Sequence, residues 1–310
     1  KEIMRVFIHK AQEAPKRIVF PEGVEEKILR ASQIILDEEI ATPILLGDRE
    51  VIEGKIKALD LDLTGAEIVD PKTSGQFDDY VQKYFDMRKR KGLTRNDAQD
   101  ALQHSIPFGM MMVNEGAADG LVAGLTQNYP GTIRPALQII RPRDGISTIA
   151  GMYMLIFKQD VRFIADATVN FDPTAEQLAD IAILVAEKVQ SYNIEPRIAM
   201  LSFSNFGGTQ HPSALKMAKA TELVKKRAPH LMIDGEMMAD TAVSTDILES
   251  LYPFSSLKGS ANVLICPNLE SSNIAYKLLG KLGGAELVGP ILVHSFPTRR
   301  SSDLDRKSVV

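Results

Sequence analysis

Short apolar runs alternate with helix-period patterns along most of the chain. Candidate strands are Arg17–Phe20, Pro43–Leu46, Glu67–Val69, Gly120–Ala123, Phe163–Ala165, Ile198–Ser202, Met232–Ile233 and Ala261–Ile265. Between them, a period near 3.6 predicts helices over Val24–Glu38, Glu50–Ala58, Phe77–Lys91, Arg95–Gln103, Thr174–Ser191, Ser213–Arg227 and Ile274–Leu282. This alternation predicts an α/β fold with mainly parallel sheets flanked by helices. The helix from Thr174 is the clearest. Leu178, Ile181, Ala182, Val185 and Val189 form one apolar stripe, Asp172 is placed to cap it, and Pro173 suits its first position. A break at Arg141–Gly145, rich in proline, glycine and charge, predicts a boundary between two α/β domains, 1–145 and 146–292.

The 310 residues leave room for two domains of ordinary size, and a 45% hydrophobic, 25% charged composition can bury cores for both. A net charge of -4 argues against a general nucleic-acid or anionic-membrane surface, while leaving room for a local basic pocket. No apolar run approaches the roughly 18 residues of a membrane span, and no secretory signal pattern is present, so a cytoplasmic protein is expected. The single cysteine, Cys266, sits in the apolar run Ala261–Cys266 and is expected to be a buried structural thiol.

In open parallel sheets, ligands bind beyond the C-terminal ends of strands. The residues that follow the predicted strands are Pro21-Glu22-Gly23, Gly124 to Arg134, Asn170, Ser202 to His211, Asp234-Gly235-Glu236 and Pro267-Asn268. Arg134 precedes Pro135, which predicts a helix head and a positive dipole end beside a guanidinium that can hold phosphate oxygens. In the loop Ser202–Thr209, glycines allow close backbone approach, and hydroxyls and an amide can hold an anion or an acyl carbonyl. The run Arg88-Lys89-Arg90-Lys91 closes a helix and complements its C-terminal dipole. Asp234 and Glu236 lack partners at metal-ligand spacing and are expected to make loop hydrogen bonds. His211 reads as polar surface, and Met110-Met111-Met112 as core filling. The chain has no GxGxxG and no Walker loop, hence no motif for a nicotinamide or a nucleoside triphosphate.

Ten blocks, in order, carry a family resemblance: KRIVFPEG, TPILLGD, MRKRKG, FGMMMV, TIRPALQII, DPTAEQLADIAI, MLSFSNFGG, IDGEMMADTAV, SLKGSANVLICPNLESSNIAYKL and GGAELVGPIL. Together they resemble the phosphotransacetylase (phosphate acetyl/butyryl transferase) family. Within it, the chain looks most like the phosphotransacetylase-like C-terminal half of bacterial NADP-dependent malic enzymes. The resemblance implies two α/β domains with a cleft between them and a dimer made largely by the second. It implies that Arg88 and Arg134 serve the coenzyme A and acyl-phosphate site, with Ser202, Ser204, Asn205, Gly207, Gly208, Thr209 and Asn268 lining it. Two departures matter. SNFGG fits the malic-enzyme branch better than the free-standing enzymes, and Gly208 stands where the family carries a serine. The family's catalytic Ser-Arg pair and Asp lie in a segment after GPIL, whereas this chain stops matching at Leu292, so no catalytic residue is assigned and the fragment alone is expected to be inactive.

The favoured expectation is therefore the acetyl-CoA-binding regulatory part of an NADP-dependent malic enzyme, oligomeric in its full-length form. NADP and a divalent metal would belong only to an upstream malate-decarboxylating core, consistent with a chain that begins at Lys1 inside an apparent helix, Glu2–Gln12. The alternative is a phosphate acetyltransferase moving acetyl between acetyl phosphate and coenzyme A. Residues 293–310, VHSFPTRRSSDLDRKSVV, share no pattern with what precedes them and read as a translated sequencing adapter.

Overall fold

A computed structural model of the protein describes residues 2–127, 129–140, 148–293 and 308–309. By its internal contacts the chain divides into an N-terminal unit, Glu2–Arg141, and a C-terminal unit, Pro142–Pro297.

The N-terminal unit runs α1 (Glu2–Glu13), β1 (Lys16–Phe20), α2 (Glu26–Asp37), β2 (Ala41–Leu46), α3 (Arg49–Ala58), β3 (Glu67–Val69), α4 (Phe77–Arg88), α5 (Arg95–Leu102), α6 (Ser105–Glu115), β4 (Gly120–Leu121) and α7 (Tyr129–Ile139). Its strands lie in the order β3-β2-β1-β4, all parallel, so the loops that leave them emerge along one edge. Phe20, Leu29, Leu45, Ile52 and Leu63 pack into one apolar cluster between the sheet and its helices. Met110, Met111 and Met112 of α6 are buried, as their apolar run predicts.

The C-terminal unit runs β5 (Ala150–Ile156), β6 (Val161–Ala165), α8 (Ala175–Gln190), β7 (Arg197–Leu201), α9 (Pro212–Arg227), β8 (Met232–Met237), α10 (Ala239–Val243), α11 (Thr245–Leu251), β9 (Val263–Ile265), α12 (Leu269–Lys281) and β10 (Glu286–Val293). The order is β10-β5-β6-β9-β7-β8. From β6 to β8 the strands are parallel, while β10, β5 and β6 pair antiparallel. The apolar stripe predicted for α8 is wholly buried: Leu178, Ile181, Ala182, Val185 and Val189 are all 0% exposed. Strand β11 (Ser308–Val309) lies parallel to Gly120–Leu121 of β4. Of the tail read as 293–310, Val293 instead ends β10, buried and paired with Ala150, and 294–307 and 310 fall outside the described residues.

Three local expectations change. The strands β5 and β10 were not expected, because AGMYMLI is apolar throughout and shows no two-residue alternation. Thr174, not Asp172, caps α8: its hydroxyl accepts from the Gln177 amide and the Gln177 side chain accepts from Thr174 in return. Asp172 instead takes an ion pair from Lys216, 2.6 Å away. Finally, α7 begins at Tyr129, so Arg134 sits in mid-helix rather than at a dipole end, and Pro135 lies inside the helix. The helix-start proline is Pro130, in the first turn; Pro135 is tolerated at the loss of one backbone donor.

Candidate functional site

In the N-terminal unit the loops after β1 and β4 meet. Gly23 leans on β2: its amide donates to the Leu46 carbonyl (3.2 Å), and a Cβ there would come within 2.8 Å of that oxygen. Glu22, 8% exposed, faces the other way, toward β4. Its carboxylate accepts from the amides of Gly124 (2.9 Å), Leu125 (3.0 Å) and Thr126 (2.5 Å) and from the Thr126 hydroxyl (2.7 Å). Burial alone would raise the pKa of this carboxyl, but the bonds from Thr126, Leu125 and Gly124 outweigh it and hold the pKa below its usual 4.5. Beside this loop lies an open cavity of about 440 Å³, bordered by Pro21, Glu22, His104, Thr126, Gly131 and Pro135.

The loop leads into α7, which is seated by the buried Ile133, Ala136 and Ile139 and leaves Arg134 exposed. Gln138, one turn after Arg134, accepts from the Tyr84 hydroxyl at 3.0 Å. Tyr84 is one turn before Arg88, the half-buried last residue of α4. This bond joins the two helix stretches that carry the predicted arginines. Neither guanidinium has a hydrogen bond or an ion pair with another described residue. Lys89, next to Arg88, is engaged with Asp86 (2.7 Å).

In the C-terminal unit, parallel pairing brings Asn170 after β6, Asn268 after β9 and Ser202–Thr209 after β7 to one edge of the sheet. The loop Ser202–Thr209 is anchored on β8. A register shift at Glu236 takes that residue out of the ladder with β7. Its carbonyl then accepts from the Phe206 amide (2.8 Å) and its buried carboxylate from the Gly207 amide (2.6 Å). Asn205 accepts from the Met238 amide at 2.7 Å, and the Phe206 ring packs 5.0 Å from both Tyr252 and Phe254. Gly207 has φ +83°, which glycine adopts without strain. Gly208 donates to the Asn205 carbonyl, and a Cβ there would stand 3.3 Å from the Ser204 hydroxyl oxygen. Two hydroxyls, those of Ser202 and Ser204, are buried with no hydrogen-bond partner, an arrangement that is costly unless a ligand or water completes it.

The remaining candidates have structural work. Asn268 caps α12, accepting from the Ser271 amide at 2.9 Å. His211 caps α9 through Nδ1, which accepts from Ser213, and its ring meets Phe203 edge-on. Asp234 accepts from Lys225 (2.8 Å), the Ser255 hydroxyl (2.9 Å) and the Ser256 amide (2.8 Å), the hydrogen-bonding role expected of it. Cys266 is buried, and burial pushes its thiol up to about 12, so it carries no thiolate at neutral pH. One residue the sequence reading missed is Asp166. Buried at the end of β6, it accepts from the amides of Gly151, Thr168, Val169 and Asn170. An Asp at a strand end, followed by residues whose amides can fold back on it, is the local signal that would have found it. Among the described residues no cluster of His, Cys, Asp and Glu could hold a metal ion, and no helix is long and apolar enough to cross a membrane.

Residues 2–296 match the family model of phosphate acetyl/butaryl transferases, and the chain belongs to that family. A phosphate acetyltransferase of Bacillus subtilis is 40% identical over 89% of this chain and 85% of its own length. The NADP-dependent malic enzyme of Escherichia coli is 42% identical over 94% of this chain but only 39% of its own, and the phosphate acetyltransferase of Nitratidesulfovibrio vulgaris is matched over 40% of its length. The chain thus spans about two fifths of these longer relatives. Among solved structures, a phosphotransacetylase from Streptococcus pyogenes superposes with a TM-score of 0.89 at 35% identity, over 97% of this chain and 93% of the other.

Proposed function

We propose that the protein is a phosphate acetyltransferase, transferring acetyl between acetyl phosphate and coenzyme A. The observation that carries this reading is the end-to-end correspondence with a solved phosphotransacetylase, 97% of one chain on 93% of the other. In the reaction the coenzyme A sulfur attacks the acetyl carbonyl carbon; a C–S bond forms, the C–O bond to phosphate breaks, and inorganic phosphate leaves with the electron pair while the thiol proton passes to a base. Arg134 and Arg88, uncommitted to other described residues, supply cations for phosphate oxygens. The Ser202 and Ser204 hydroxyls, with Thr209 beside them, supply donors for an acyl or phosphate oxygen, while the Gly207 and Gly208 amides hold the loop in shape. The ligands on this reading are coenzyme A and acetyl phosphate.

A second reading, favoured by SNFGG and by the 42% identity to the E. coli malic enzyme, gives the same residues to an acetyl-CoA-binding regulatory module. The higher coverage of free-standing relatives supports the transferase better. The test is thioester formation from acetyl phosphate and coenzyme A by the full-length gene product, followed by absorbance. Turnover is expected, and Arg134→Ala should lower kcat/KM by about 10- to 100-fold, the loss of a charge-assisted contact of roughly 1.5–3 kcal/mol. Tight acetyl-CoA binding without turnover would overturn the transferase in favour of the regulatory module.

A further inference from the structure

In the loop after β1 stands a buried carboxylate, Glu22, to which the site residues named above give no role. We infer that Glu22 is a positioning residue: by holding the Gly124–Thr126 loop it sets the entry of α7, and through α7 the placement of Arg134, for binding of the acyl phosphate and coenzyme A. This inference rests on the ligand reading above.

Three features of the geometry support it. First, Glu22 is held on both sides. Phe20 before it is buried in β1, and Gly23 after it is pressed against the Leu46 carbonyl so closely that no side chain fits. The carboxylate therefore cannot follow the loop if the loop moves; the loop must come to it. Second, all of its bonds go to one stretch of three consecutive residues, Gly124, Leu125 and Thr126. A loop whose successive amides converge on a single anion has little freedom to shift. Third, this loop is short, and α7 begins at Tyr129. Its buried face and the Tyr84–Gln138 bond fix the far end of the helix, while Glu22 fixes the near end, with Arg134 between the two anchors. An isosteric amide cannot replace the carboxylate. In Glu22→Gln one oxygen remains to accept, and the new NH2 group faces amides that are themselves donors.

The experiment is a double-mutant cycle in the full-length protein with Glu22→Gln and Arg134→Ala. The readouts are kcat and KM for acetyl phosphate, coenzyme A affinity by calorimetry, and amide exchange at residues 124–126. Alone, Glu22→Gln should raise KM and weaken coenzyme A binding about tenfold, change kcat less, and speed exchange at those amides. In the Arg134→Ala background the same change should cost less than about twofold, because a residue acting through Arg134 has nothing left to act on. Equal costs in both backgrounds, or unaltered affinity in Glu22→Gln, would overturn the inference. If Glu22→Gln does not fold, Thr126→Val, which removes one of the four bonds, takes its place in the cycle with an expected loss of about two- to fivefold, absent without Arg134. A wild-type protein that neither binds coenzyme A nor turns over acetyl phosphate would overturn the functional reading itself, an outcome distinct from additivity in the cycle.

Discussion

The loops that follow β4 and β7 solve the same problem in opposite ways. Each leaves a parallel strand, each is polar, and each is held by a buried glutamate. Glu22 takes three amides and a hydroxyl, leaving little of its loop unpaired. The Glu236 carboxylate takes a single amide from the Ser202–Thr209 loop and its carbonyl a second, Asn205 ties that loop to Met238, and two serine hydroxyls stay buried and unpaired. The first loop is a mount, whose polar groups are consumed in holding a helix. The second keeps polar capacity in reserve, which is costly in the free protein and useful only to something that binds. Where a protein spends its buried hydrogen bonds thus separates support from contact.

The strongest way to break the second loop leaves its own residues alone. Gly235 has φ +142°, and a Cβ there would lie 2.6 Å from the Met200 carbonyl. Gly235→Val must push β8 from β7 and carry Glu236 with it, at a cost of about 3 kcal/mol or more from strain and overpacking. Chemical denaturation should show it; a loss below about 1 kcal/mol would mean that the loop's mount is not where it is drawn.

A smaller effect should appear in the first loop on acidification. The pKa of Glu22 is depressed in the folded protein, so its contribution to stability is complete above the ordinary value of 4.5 and is lost as pH falls through the lower folded value. The stability gap between the wild-type protein and Glu22→Gln should therefore be constant at neutral pH and narrow below 4.5. Denaturation midpoints taken down the acid limb would measure it, and a gap that widens in acid would contradict the bonding described.

Much of this organisation was legible from period alone, because α8 and the parallel strands bury faces that the pattern marks. What was not legible was decided at a distance. Glu22 and its partners are 102 to 104 positions apart, and no window over Pro21–Gly23 shows why the glutamate is there. Strand β5 has no polar face to alternate with, since most of it is buried on both sides. Arg134 was placed at a helix head because Pro135 follows it, but the helix takes its start from an earlier proline, and packing of Ile133, Ala136 and Ile139 overrides the local signal. His211 was found as a post-strand polar residue, yet its side chain was already engaged as a cap, a competition the sequence does not display.

The smallest stability effect is also the most diagnostic. Ser204 is 7% exposed, and its hydroxyl has no partner in the free protein. Removing an unsatisfied buried hydroxyl should not destabilise the fold, so Ser204→Ala is expected to be neutral or to stabilise by up to about 1 kcal/mol. If the hydroxyl is held for a ligand, the same variant should bind coenzyme A or acetyl phosphate about 3- to 10-fold more weakly, the worth of one neutral hydrogen bond. Thermal denaturation and calorimetry on one preparation would then move in opposite directions. A Ser204→Ala protein that loses stability and keeps its affinity would mark the hydroxyl as structural and erase the contrast between the two loops. Thr126→Val supplies the control, because its hydroxyl is spent on Glu22 and its loss should lower stability.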